Sequence, residues 1–306
     1  MVRTILVPFD GSESARSALA YARAIDAGAR TVALNVVSPI AGPDDGGGDA
    51  ADAAERYERA FETARDLLAE AREVAGEGTG TDGFDAEFVY GHPLHEILRY
   101  VDRYVVDEVV MGHRGRDGAG DLRLGSVAET VTDRAPVPVT VVRPGESGDP
   151  PAVPGSVLVP FDGSPPSREA LRYAIRRFPD AAITATYADY PTIDDLDRLG
   201  PRGDASTAFE DWYAEVRTWH GAADRDPEAV LHLLEEVTAE YDREVGTTVV
   251  AGDPARVLVD HAGRSGADHV VVGSHSRPDD GLTGHLLGSV ARFVVRRSPT
   301  SVTVVR

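Results

Sequence analysis

Short apolar runs alternate along this chain with stretches in which apolar residues recur every three or four positions. Thr4–Val7, Thr31–Val37, Ala86–Tyr90, Glu108–Met111 and Val137–Val142 are runs of the first kind and predict buried strands. Between them, helices are predicted over 12–27 and 125–135, and in two places where the period is explicit. Tyr57, Phe61, Ala64 and Leu68 line one helical face, and Leu94, Ile97, Leu98 and Val101 stand at i, i+3, i+4 and i+7. A glycine- and aspartate-rich loop, Asp44–Asp49, follows the second strand. Strands separated by helices pair in parallel through right-handed crossovers, so the pattern predicts a doubly wound α/β layer.

The pattern then repeats. Val7-Pro8-Phe9-Asp10-Gly11-Ser12 returns 152 residues later as Val159-Pro160-Phe161-Asp162-Gly163-Ser164. Gly91 and Pro93 return as Gly252 and Pro254, offset 161. Leu124-Gly125-Ser126-Val127-Ala128 returns as Leu287-Gly288-Ser289-Val290-Ala291, and Val141-Val142-Arg143 as Val304-Val305-Arg306, both offset 163. Four blocks in one order mean a tandem duplication. The expected domains are 1–146 and 153–306, joined by the proline-, glycine- and acid-rich connection from Pro144 to Gly155. The fold class is therefore α/β: two tandem doubly wound domains, each a five-stranded parallel sheet with helices on both faces. Val230, Leu234, Val237 and Tyr241 repeat the spacing of Tyr57 to Leu68. Before them the second repeat carries an insertion, 189–226, with Trp212 and Trp219, which reads as a packed flap or a binding surface.

Composition narrows the chemistry. The 306 residues carry 51 acids against 31 cations, for a net charge of −20, and every cation is arginine. Residues 1–150 hold 15 cations and 27 acids, residues 151–306 hold 16 and 24, so the acidity is not a tail. A field of that sign repels phosphate polymers and argues against nucleic acid as a partner. It suits a basic partner or a high-salt setting, where a short Debye length screens self-repulsion; acid-rich, lysine-free composition resembles proteins of halophilic archaea. With no cysteine there is no disulfide, thiolate metal site or cysteine nucleophile, and with no lysine no Walker-type phosphate lysine or Schiff base. No apolar run approaches the ~18–20 residues of a membrane span, and the first residues lead into a strand without a signal-peptide pattern, so a cytoplasmic location without membrane contact is expected.

Doubly wound sheets bind ligands at the carboxyl ends of their strands, where the winding direction switches. After the fourth strand the chain reads Met111-Gly112-His113-Arg114-Gly115 and continues to Leu124-Gly125-Ser126, a G-x2-G-x9-G-S spacing that enters a helix. Glycines permit positive φ and close approach of N–H groups to an anion. A helix N-terminus favours negative charge, Ser126 adds a hydroxyl, and Arg114 can fork onto a phosphate. Local explanations compete. Ser126 with Glu129 forms an S-x-x-E capping box, and Asp10 reads equally well as a turn or cap residue.

These motifs resemble the universal stress protein family, in its nucleotide-binding subgroup, and the resemblance spans nearly the whole chain twice. It implies a Rossmann-like fold of the adenine nucleotide alpha hydrolase type and an ATP site, with Mg²⁺ or Mn²⁺ bound through the phosphates. Carried over by motif position, that site is Pro8, Asp10, Val37, Met111, Gly112, Arg114, Gly115, Gly125, Ser126 and Val127, with the backbone of Val37 against adenine. The resemblance also implies that the fifth strands, Val137–Val142 and Ser301–Val305, pair about a two-fold axis, within one chain or in a homodimer. The second repeat departs from the loop pattern. Ser276 replaces the second glycine, eleven residues instead of nine precede Gly288, Pro278 removes a donor, Asp279 and Asp280 oppose phosphate, and Arg292 stands in place of the capping acid. Asp162, Gly273, Gly288 and Ser289 remain as a weak second site. The histidines do not converge on a metal site, and no general base or hydrolase elbow stands out. The expected function is a nucleotide-responsive stress module with little or no catalysis; a slow ATPase or nucleotidyl transferase, and a scaffold without nucleotide, are the alternatives.

Overall fold

The computed structural model describes residues 2–38, 50–76, 83–115, 124–143, 152–189, 227–241, 243–274 and 287–306. The first repeat is β1 (Thr4–Pro8), α1 (Glu13–Ile25), β2 (Arg30–Val37), α2 (Ala50–Val74), β3 (Phe84–Tyr90), α3 (Pro93–Arg103), β4 (Glu108–Gly112), α4 (Ser126–Arg134) and β5 (Val139–Val142). The second is β6 (Ser156–Pro160), α5 (Pro165–Arg177), β7 (Ala182–Asp189), α6 (Pro227–Thr238), β8 (Gly246–Ala251), α7 (Pro254–Ser265), β9 (His269–Gly273), α8 (Ser289–Arg297) and β10 (Ser301–Val305). The Asp44–Asp49 loop and the insertion with Trp212 and Trp219 lie outside the described residues, except for Asp189, which ends β7.

Each repeat forms a parallel sheet in the order 3-2-1-4-5, and the two join into one ten-stranded sheet through an antiparallel contact between β5 and β10. The apolar runs become strands because both faces are covered, as the wholly buried β4 and β5 show. On the face of α3, α4, α7 and α8 one hydrophobic cluster runs through both repeats, from Leu34 and Val101 to Leu258 and Val294. On the opposite face α1 and α2 cover one cluster, and α5 and α6 cover another.

The periodic helices sit as their patterns require. Ile97 and Val101 are buried on α3, with Leu94 and Leu98 packed against the same core. Val230, Leu234 and Val237 are buried on α6, but Tyr241 follows the end of the helix and packs from the turn beyond. β5 starts at Val139, two residues later than the apolar run, because Pro138 has no N–H to give to a ladder.

Candidate functional site

The order 3-2-1-4-5 reverses direction between β1 and β4, and this switch point brings most of the predicted residues together. Pro8 ends β1, and Phe9 continues into a turn held from β2: its N–H donates to the Leu34 carbonyl at 2.8 Å, and its own carbonyl accepts from the Asn35 side chain at 2.8 Å. Asn35 is a buried amide among the apolar residues of β2, and it is part of the site's frame that the motif does not include. Asp10 Oδ1 accepts the Ser12 N–H at 3.0 Å, Gly11 takes φ +77°, and Ser12 caps α1 by accepting from Ala15. The turn role of Asp10 is thus present, and its other oxygen faces Gly115: a Cβ on Gly115 would lie 2.7 Å from Asp10 Oδ2.

The second half of the site is the corner between β4 and α4. Gly112 ends β4 against the start of α1, where a Cβ would fall 2.6 Å from the Ser14 backbone. Arg114 is fixed through its backbone, whose carbonyl accepts the Ser12 hydroxyl at 3.4 Å. Gly125 donates its N–H to the His113 carbonyl at 2.8 Å, which closes the loop from the strand end onto the helix start. Residues 116–123, the tip of that loop, lie outside the described residues.

Two local expectations are corrected here. Gly112, Gly115 and Gly125 do not adopt positive φ; close approach to Ser14 and Asp10 is what excludes a side chain at the first two. The S-x-x-E capping box does not form. Gly125, not Ser126, is the N-cap and brings no side-chain acceptor, while the Glu129 carboxylate pairs with Arg296 of the other repeat. The consequence favours an anion. The first N–H groups of α4 have no acceptor within their own helix and no capping side chain in front of them.

The electrostatics agree. His113, wedged between Ser14 Oγ at 3.1 Å and the corner, has its pKa pushed down to about 4 by burial, with Arg143 and Arg114 adding to the effect. It is a neutral spacer at pH 7, so Arg114 and the buried Arg143 carry the positive charge nearby. Val37 stands three residues beyond Leu34, the partner of Pro8, so β2 overhangs the site on the side away from β4. Its side chain is buried, and its carbonyl accepts the Gly91 N–H at 3.0 Å. Met111 likewise points into the core, so these two residues offer backbone only. Ser126 is exposed and Val127 half-buried at the helix start.

The second repeat rebuilds the first half of this arrangement. Asp162 Oδ1 accepts the Ser164 N–H at 2.9 Å, and Gly273 meets the start of α5 with a Cβ position 2.3 Å from the Pro166 carbonyl oxygen. Gly288 caps α8 without a side chain, ahead of Ser289. The loop at 275–286, with Ser276, Pro278, Asp279 and Asp280, lies outside the described residues.

The family model of the Universal stress protein family matches residues 1–143 and 155–306. The chain belongs to the universal stress protein family. A universal stress protein of Mycobacterium tuberculosis is 31% identical over 326 residues, spanning 99% of this chain and 94% of its own length. A single-repeat relative, a universal stress protein of Thermus aquaticus, is 36% identical over 145 residues, which is 47% of this chain and all of that one. The crystal structure of a universal stress protein from Archaeoglobus fulgidus shares the fold across both repeats, with a TM-score of 0.64, 21% identity and coverage of 99% of this chain and 98% of its own. Among the described residues no helix is long and apolar enough to cross a membrane, and no three His, Cys, Asp or Glu side chains gather where a metal ion could sit.

Proposed function

We propose that this universal stress protein binds ATP, or another adenine nucleotide, in its first repeat and acts as a nucleotide-responsive stress module with little or no catalysis. The observation that carries the reading is the corner where β4 and α4 meet at the switch point. There an uncapped helix N-terminus, Arg114 and the side-chain-free Gly115 face the same end of the sheet as Asp10. The parts fit phosphate: N–H groups without an acceptor in their own helix, a helix dipole and a guanidinium fork. Gly112, Gly125, Ser126 and Val127 complete the phosphate side. Pro8, Asp10 and the backbone of Val37 and Met111 complete the nucleoside side. A divalent cation, Mg²⁺ or Mn²⁺, comes with the phosphates and is held by their oxygens and by water. The chain's own contribution is binding and orientation. His113 is a weak base, its pKa pushed down to about 4 and its Nδ1 engaged by Ser14, and Asp10 Oδ1 is taken by the Ser12 N–H, so turnover is at most very slow. An acid-rich, lysine-free chain of this kind is suited to a high-salt cytoplasm.

Mass spectrometry of the freshly purified, then denatured, protein tests the reading. An adenine nucleotide should be released. No nucleotide released, and none bound when ATP and Mg²⁺ are added, would overturn it, and metal-dependent turnover of ~1–10³ s⁻¹ would overturn the non-catalytic part.

A further inference from the structure

The contact between the repeats divides into a part that any two copies of this fold could make and a part that only unlike copies can. β5 and β10 pair with Thr140 opposite Thr303, and with Val139 and Val141 opposite Val304 and Val302. Thr140 and Thr303 are equivalent residues, 163 apart, so a pseudo-two-fold axis passes between them. This ladder is indifferent to which repeats meet. So are the arginines that follow the strands. Arg143 donates to the Val295 and Arg296 carbonyls at the end of α8, and Arg306 to the Ala135 and Thr132 carbonyls at the end of α4.

The charged residues around the axis are not interchangeable. α4 presents Glu129 and Asp133, and α8 presents Arg292 and Arg296 at the equivalent positions. Across the axis Arg292 lies 3.0 Å from Asp133, and Arg296 pairs with Glu129. Asp133 also accepts the Leu287 N–H at 2.9 Å. Two first repeats in this pose would set acid against acid, and two second repeats arginine against arginine.

The opposite face of the sheet repeats the lesson with buried groups. Glu108 and its equivalent His269 are 1% and 0% exposed. Glu108 accepts from Arg177 of α5 at 3.2 Å, whereas the residue of α1 equivalent to Arg177 is Ile25. A line of hydrogen bonds joins the two centres. Thr140 Oγ1 lies 2.9 Å from Glu108 Oε1 and 2.7 Å from Thr303 Oγ1. Thr303 Oγ1 lies 2.7 Å from His269 Nε2, and His269 Nδ1 lies 3.3 Å from the Tyr21 hydroxyl. Because a carboxylate only accepts, Thr140 donates to Glu108, Thr303 donates to Thr140, Nε2–H donates to Thr303, and Tyr21 donates to Nδ1. The line needs a carboxylate at one end and a neutral imidazole at the other. With a carboxylate at both ends, both threonine hydrogens would point outward and leave none between the two hydroxyls.

We propose that the two repeats carry complementary, not self-complementary, faces, so that the strand edge of a first repeat takes a second repeat, rejects another first repeat, and closes within the chain. The chain has no cysteine, so a thiol at the axis reports its neighbour. In the full-length protein, Thr140→Cys combined with Thr303→Cys should oxidise to a bond within one chain. Thr140→Cys alone and Thr303→Cys alone should give no linked pair of chains. A two-chain product from either single variant, or no internal bond in the double variant, would overturn the proposal. The charge code has its own readout. Glu129→Arg with Asp133→Arg, and Arg292→Glu with Arg296→Asp, should each lower the thermal midpoint by about 2–6 °C. Combining all four leaves composition unchanged and should recover most of the loss. A four-residue exchange as unstable as the two halves added together would show that the faces do not read one another.

Discussion

Asp10 and Asp162 hold the same turn in the two repeats. Each accepts the N–H of the serine two residues on, at 3.0 and 2.9 Å, and each serine then caps the following helix. Gly112 and Gly273 match as closely, each pressed onto the first turn of that helix. Around this corner the repeats diverge past that glycine. The first has His113 bonded to Ser14, then Arg114 and Gly115. The second has Ser274 where the first has His113, then Ser276 in place of Gly115 and a loop two residues longer. At its helix start, Asp133 of the first repeat already takes the Leu287 N–H. Residues common to both repeats build the turn and the strand–helix corner in each, and do not distinguish the two. The choice of the first repeat rests on what only it has.

The largest effect that would sharpen this contrast is expected at Gly115. Gly115→Val pushes a branched side chain onto the Asp10 carboxylate and over the approach to phosphate. ATP affinity should fall at least about a hundredfold by calorimetry, the loss of two or more charge-assisted hydrogen bonds. Retained affinity would move the site elsewhere.

The buried His269, whose equivalent is Glu108, sets a different asymmetry. Burial pushes its pKa down to about 3, with Arg177 adding to the effect, against about 6.5 in the unfolded chain. The folded state therefore refuses a proton that the unfolded state takes. This stability is fully present above about pH 6.5 and is lost as pH falls, by about 2–3 kcal/mol at pH 4.5. Urea unfolding at pH 7 and pH 4.5 should show that slope reduced by about one proton in His269→Gln. An unchanged slope would mean that the imidazole is not held neutral.

Arg114→Gln removes a fork from the corner and should weaken ATP about 10–150-fold by calorimetry. The smallest effect is expected at Ser276, where Ser276→Val should leave tight binding unchanged.

Much of this was legible in the residues. Alternating strand and helix patterns and the four repeated blocks defined the order of elements, because a parallel sheet covered on both faces demands continuous apolar strands. The switch point then followed from topology, and with it the placement of Asp10, Gly112, Arg114 and Gly125. Asn35 was visible as a polar residue among the apolar residues of its strand, but which carbonyl it pins depends on β1 lying beside β2. The capping box at Ser126 was misleading, since Glu129 has two partners to choose between and the better one lies in the other repeat. That choice is tertiary, as is the role of Arg292: a substitution that looked like decay of a helix cap is the counter-charge to Asp133. Positive φ is not what holds Gly115 either, since the constraint on a side chain there comes from Asp10, more than a hundred positions away.

The contrast between the repeats stands or falls on the number of nucleotides one chain holds tightly. Titrating nucleotide-free, full-length protein with ATP and Mg²⁺ in a calorimeter measures it directly. One tight site per chain, lost in Gly115→Val and kept in Ser276→Val, is the predicted result. Two equal sites, or a tight site lost only in Ser276→Val, would contradict the assignment to the first repeat.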